Sequence, residues 1–414
     1  MSCYRSVLSI LLCALVGTAL AAPPNVVLII SDDQAWGDYS FMGHEAIQTP
    51  NIDKLAAEGF TYTRGYVPSS LCRPSLMTLA TGLYPHQNKI TFNDPPKGTD
   101  RNLALAHIDT ATTLADLLSE KGYVSHQSGK WWEGNHKRGG FTHGMTHGDT
   151  ARGGRHGDEG LKIGREGLQP IADFLDETKG TPFFLWYAPF LPHTPHNPPE
   201  RLLKKYRTEG RSEFVAKYWA MCEWFDETCG ELLGMLDQRG LTENALVVYV
   251  TDNGWIQQKD KRGYAPRSKR SPYDGGIRTP IILKWPGKIA PGQDDKTPVI
   301  SIDLIPTILE ACGLTPTEAM QGLSLLQGPP TTRNHIFGEV FAHDAVDINV
   351  PASSLEYRWC IEGDWKLLVP AKAGQAPELY KITADPHEMN NLAGEQPQRT
   401  AAMTRAINRW WAGK

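Results

Sequence analysis

Along residues 25–313, short unbroken apolar runs alternate with amphipathic ones. "NVVLII" (25–30), "PFFLWYAPF" (182–190), "ALVVYV" (245–250) and "PIILKW" (280–285) read as strands covered on both faces. "YVSHQSGK" (123–130) is a further strand. Between them, "TPNIDKLAAEGF" (49–60), "TTLADLLSEKG" (112–122), a long segment within 213–238 and "SIDLIPTILEACG" (301–313) have helical spacing and end signals. This alternation predicts an α/β fold, a large, mostly parallel sheet flanked by helices. After about Gly328 the pattern changes to short strands, "HIFGEV", "YRWCIEG", "WKLLVP" and "ELYKI", with a helix near 397–411. The expected organisation is therefore an α/β domain over 23–328 and a C-terminal subdomain over 329–414, a small antiparallel sheet plus helix.

Composition adds bounds. The chain has 414 residues and a net charge of −4, so nothing global favours nucleic acid as a partner. At the N-terminus, Arg5 precedes an apolar stretch from Val7 to about Leu20, followed by Ala21 and Ala22. That pattern predicts a signal peptide over 1–22, a secreted or periplasmic protein and no stable membrane anchor. Beyond it lie Cys72, Cys222, Cys229, Cys312 and Cys360. Cys222 and Cys229 fall two turns apart on one helix, roughly 10 Å by helical rise, too far to bridge. No disulfide framework emerges, and Cys72 calls for another explanation.

In open parallel sheets the ligand crevice lies beyond the carboxyl ends of the strands. Here those ends carry Ser31, Asp32 and Asp33; Lys130; His193 and His196; and Asp252 and Asn253. Asp32, Asp33, Asp252 and Asn253 offer hard oxygen ligands, which suit Ca²⁺ or Mg²⁺ better than zinc. Lys130, His193 and Lys269 would add positive charge and proton donors around an anionic substrate. In "VPSSLCRPSLMTLATG" (67–82), Pro74 suits a first helical turn and Gly82 a helix end. Cys72 is then expected just before a helix over 75–81, near its positive end.

Several stretches together resemble the formylglycine-dependent sulfatases of the alkaline phosphatase superfamily: "CRPSLMTLATG", "GYVSHQSGKW", "SDD", "TDNG", "KRSPYDGGIRTP" and the ending "ELYKITADPHEMNNLA". The resemblance implies that Cys72 is oxidised to formylglycine by a maturation enzyme and that the hydrated aldehyde attacks sulfur. It implies calcium, rather than magnesium, on Asp32, Asp33, Asp252, Asn253 and residue 72. It makes Lys130, His193 and Lys269 the residues that hold the sulfate and the leaving oxygen of a sulfated small molecule or glycan. Two positions depart from the family pattern. Leu76 stands where Cys-x-Pro-Ser-Arg has arginine, and Trp132 where Gly-Lys-Trp-His has histidine. The loop between His136 and Arg165, with His143, His147, Arg152, Arg155 and His156, supplies candidate replacements for anion contacts. The alternatives are a phosphodiester or phosphonate monoester hydrolase and a non-catalytic protein that binds sulfated glycans.

Overall fold

The computed structural model describes residues 22–414. The expected signal peptide therefore lies almost wholly outside the described residues. The main sheet contains β1 (Asn25–Ser31), β2 (Phe60–Tyr66), β3 (Val124–Gly129), β4 (His143–Gly144), β5 (Phe183–Ala188), β6 (Ala245–Thr251), β7 (Arg278–Lys284), β8 (Gly292–Asp294) and β9 (Val299–Ile300). Its order is β4-β3-β5-β1-β6-β7-β2-β8, with β9 also on β2. Only β7 runs against its neighbours β6 and β2.

Strand periodicity explains the double cover. On β1, Val26, Leu28 and Ile30 point into one core; Val27 and Ile29 point into the other. The first core is closed by helices Cys72–Thr81, Leu114–Ser119 and Leu304–Ala311 through Leu76, Leu79, Leu118 and Ile305. The second is closed by Pro50–Glu58, Gln169–Glu177 and the long helix Glu213–Gln238 through Leu55, Phe174, Phe225 and Leu232. Each fully buried side chain of this kind contributes about 1.5–3 kcal/mol relative to exposure.

Strand β2 lies outside the strands the sequence pattern predicts, although Phe60, Tyr62 and Tyr66 alternate as a strand should. Arg64 and Gly65 interrupt the pattern for packing reasons. Arg64 donates to the Lys296 and Gly363 carbonyls. A Cβ at Gly65 would meet the Thr279 carbonyl oxygen at 2.4 Å, so only glycine lets β2 and β7 approach.

The C-terminal strands β10 (Ile336–Phe341), β11 (Leu355–Glu362), β12 (Trp365–Pro370) and β13 (Glu378–Lys381) form an antiparallel meander. Cys360, Leu367 and Leu379 meet Met403 and Ile407 of the final helix, Pro397–Trp410. The opposite face sends Trp359, Ile361 and Leu368 into the main core. Among the described residues no helix is long and apolar enough to cross a membrane.

Candidate active site

Register brings the carboxylates together. Ser31 pairs with Thr251 at the ends of β1 and β6, so Asp32 and Asp252 emerge side by side. Gly129 ends β3 at φ 83°, and a Cβ there would lie 1.9 Å from the Ala188 oxygen. Glycine alone permits that turn, which the Lys130 amide closes by donating to Ala188 at 2.6 Å. Asp33 also has a left-handed backbone, φ 63°, and its amide donates to Asp252 Oδ1 at 3.1 Å.

The eight residues expected at the site from the sequence converge here. Lys130 Nζ bridges Asp32 Oδ1 and Asp252 Oδ2, the latter at 3.1 Å. Lys269 Nζ lies 2.6 and 2.7 Å from the two Asp33 oxygens and 3.1 Å from Cys72 Sγ. Asn253 Nδ2 donates to Asp33 Oδ1 at 2.6 Å. His193 Nδ1 donates to the Thr194 carbonyl at 2.6 Å, which leaves Nε2 facing Asp33 Oδ2 at 3.3 Å.

Burial sets the electrostatics. It raises the Asp32 carboxyl well above the usual range, with Asp252 and Asp33 adding to the effect and Lys130 opposing it. For Asp33 burial acts upward too, but Lys269, His193 and Lys130 outweigh it and bring the carboxyl to about 2. Burial and the two lysines hold His193 well below the usual imidazole range against the pull of Asp33. Burial also pushes the Cys72 thiol up to about 12 despite Lys130 and Lys269. As a cysteine, residue 72 is a protonated thiol at neutral pH and a poor nucleophile.

The donor set fits a hard divalent cation. Two buried oxygens, Asp32 Oδ2 and Asn253 Oδ1, have no hydrogen-bond partner. Three carboxyl groups crowd two ammonium groups here, and burial beside Asp252 and Asp33 already works against the negative charge of Asp32. Orphaned acceptors in such a place are costly unless a cation or water meets them. Asp32, Asp33, Cys72 and His193 each offer a ligand atom within 4.8 Å of the others. Asp252 is more committed: its Oδ1 accepts the amides of Asp33 and Asn253, and its Oδ2 accepts from Lys130.

Three expectations change. Cys72 is the first residue of its helix, which spans Cys72–Thr81 rather than starting at 75; Leu71 is the extended residue before it. The segment between His136 and Arg165 is not a bare loop, since it holds β4 and several one-turn helices. Of its candidate residues, Arg155 and His156 reach the cavity above Cys72. His143 instead pairs with Glu177 and His147 with Asp158. Arg165 serves from beneath, donating to the Phe190 and His193 carbonyls at 2.7 and 3.0 Å and bracing the His193 loop.

The cavity has a volume of about 310 Å³, with Cys72, Lys130, His193 and Lys269 at its base. Trp132 forms one wall, its ring 5.6 Å from Lys130 Nζ and 5.1 Å from Arg155 Cζ. Trp255 and Tyr264 form another, with ring centroids 5.3 Å apart. Leu76 is fully buried in the core. Arg73 turns away from the cavity and meets buried Glu133 through paired contacts of 2.5 and 2.7 Å. Sequence reading missed Asn93, Asp94, Trp255, Tyr264, Arg270 and His343, which also line the cavity. Trp255 directly follows "TDNG" and Arg270 follows Lys269, so these two were within reach of that reading.

Comparison with known proteins identifies the family. The sulfatase family profile matches residues 24–314, and the N-sulphoglucosamine sulphohydrolase C-terminal profile matches 264–409. The chain is 29% identical to human arylsulfatase A over an aligned length of 465 residues, covering 96% of this chain and 89% of the human protein. It is 29% identical to human N-acetylgalactosamine-6-sulfatase over 350 residues, covering 73% of this chain and spanning 65% of that enzyme. The structure of Ps i-CgsB in complex with k-i-k-neocarrahexaose shares the fold, with a TM-score of 0.77, 24% identity and coverage of 95% and 94% of the two chains. The chain belongs to the sulfatase family and is a sulfuric ester hydrolase.

Proposed function

We propose that this is an exported sulfatase acting on a sulfate ester of a carbohydrate through a formylglycine made from Cys72 and a bound calcium ion. The observation that carries the reading is one contact set. An unionised thiol at the start of a helix touches Lys269, above an acidic centre with two unpaired oxygens. Asp32, Asp33, Asp252 and Asn253, with residue 72, would hold the cation. What the two groups supply when present is positive charge beside the sulfate and an oxygen nucleophile that a thiol at this position lacks.

The chain's own residues do the rest. Lys130 and Lys269 offer ammonium donors to the sulfonate oxygens, in a buried place where fixed charge acts strongly. His193, with Nδ1 committed to the Thr194 carbonyl, keeps Nε2 open 3.3 Å from Asp33, where it takes up a proton that Asp33 favours before passing it to the leaving oxygen. Trp132 walls one side of the pocket, and Phe190 stacks on His193 from behind at 4.2 Å. Residues 1–22 direct export, 23–328 carry the chemistry and 329–414 support it. A maturation enzyme supplies the oxidation of Cys72. A carbohydrate substrate is supported by the similarity to N-acetylgalactosamine-6-sulfatase.

The test is sulfate release from sulfated monosaccharides by protein made with a maturation enzyme, before and after chelation. Calcium-restored turnover is expected. Faster turnover of a phenylphosphonate ester than of any sulfate would move the assignment to phosphonate hydrolysis.

A further inference from the structure

The charges of the cavity change character from base to mouth. At the base, Lys130 and Lys269 are matched by the carboxylates beneath them. At the mouth three guanidinium groups, Arg101, Arg155 and Arg270, face Asp94, with Asp344 held by His343 and the exposed Glu356 carboxyl near Arg270. Asp94 takes both Arg101 at 2.9 Å and Arg155 at 2.7 Å, so one carboxylate serves two guanidinium groups. Arg155 also donates to the Asn93 carbonyl at 2.8 Å, which fixes it against Trp132. Arg270 is exposed on the rim, and its side chain makes no hydrogen bond or ion pair among the described residues. Its backbone is anchored, because its amide donates to the Ser70 carbonyl at 3.1 Å with φ 65°. An unpaired guanidinium is thus carried on backbone that follows Lys269 and is bonded to Ser70, two residues before the Cys72 helix.

The size of the cavity gives the unpaired Arg270 guanidinium a meaning. About 310 Å³ is the low end for a ligand pocket, room for one sulfated ring between the Trp132 and Trp255 walls. Whatever else the substrate carries must lie at the mouth, against Arg270 and the Arg101–Asp94–Arg155 group. A planar guanidinium matches sulfate and carboxylate with two parallel hydrogen bonds.

We propose that Arg270 and Arg155 form a second anion subsite, so that the preferred substrate bears a second sulfate or carboxylate beyond the ester that is cleaved. This rests on the sulfatase reading above and narrows its substrate class.

The test is calorimetric binding to the Cys72 form of the chain with calcium present, using a monosulfated sugar, the same sugar with a second sulfate, and a sulfated disaccharide ending in a uronate. Aryl sulfate turnover by matured protein runs in parallel. Wild type should bind one of the doubly anionic ligands about tenfold tighter than the monosulfated sugar, with a steeper salt dependence. Which one it prefers separates sulfate from carboxylate. Arg270→Ala should reduce that ratio to about one, and Arg270→Lys should restore part of it. A wild-type ratio near one, or a ratio unchanged in Arg270→Ala, overturns the subsite. Arg270-dependent binding without aryl sulfate turnover would uphold the subsite and sink the hydrolytic reading instead.

Discussion

Cys72 and Arg73 are adjacent in sequence yet belong to opposite kinds of buried charge cluster. Arg73 and Glu133 are both fully buried and satisfy each other, with further bonds from Arg73 to the Phe92 and Ala104 carbonyls. Cys72 looks into the Asp32–Asp33–Asp252 centre, where two oxygens remain unpaired and a lysine contacts the thiol. A closed pair locks structure, whereas an open one keeps capacity for a cation and an anionic substrate. The closed pair also ties the Cys72 helix to the segment carrying Lys130 and Trp132, so it positions both sides of the pocket. The lesson is that burial of charge does not mark function; unsatisfied buried charge does.

The comparison breaks most sharply at the open cluster. Asp252→Ala should lower kcat by about a thousandfold, the scale of losing a main electrostatic support. Its melting temperature should fall by only several degrees, because the Asp33 and Asn253 amides and one contact of Lys130 lose an acceptor while the core packing stays. Melting curves beside steady-state kinetics check both halves, and a collapse of stability would make Asp252 structural.

The closed pair should behave the other way. Arg73→Met leaves Glu133 buried and alone, which costs about 3–5 kcal/mol. Arg73→Met with Glu133→Leu removes both charges and should recover most of that loss in chemical denaturation. If the double variant also regains full kcat, the pair does not position the pocket.

Leu76 is the next point of leverage. It lies in the apolar core, so Leu76→Arg should destabilise by about 2–4 kcal/mol even as it restores the family's arginine. It is also expected to raise the fraction of residue 72 converted by a standard maturation enzyme. Unchanged stability would mean that the position has polar space the packing does not show.

The smallest expected effect is at Trp132. It is only 5% exposed yet lines the cavity. Trp132→His should raise KM about three- to tenfold and leave kcat within about twofold, the pattern of lost uniform binding. A fall in kcat with KM unchanged would place Trp132 in the chemical step.

How much of this was legible follows from range. Apolar strands β1, β5 and β6 announce themselves, and the residues just past their ends are local consequences of where each strand stops. The long helix Glu213–Gln238 is likewise a local pattern, capped by Ser212, whose side chain accepts from the Val215 amide. Strand β2 was obscured because Arg64 and Gly65 are chosen by residues more than two hundred positions away. The partner of Arg73 is sixty residues along the chain, and the partners of Asp94 lie on two separate segments. Spacing in sequence says nothing about such pairings; only the folded sheet brings them together. The departures at Leu76 and Trp132 were visible at once, but their surroundings were not. One fills core and the other forms a pocket wall.

In the proposed mechanism Cys72 matters for what it becomes. The most direct measurement is the mass of the tryptic peptide 65–89, which retains the Arg73–Pro74 bond, from protein exported by a host with a maturation enzyme. A substantial fraction is expected in which the sulfur is gone and an aldehyde oxygen stands in its place, with sulfatase activity rising in proportion to that fraction. Full activity in protein whose residue 72 is wholly unmodified cysteine would contradict it.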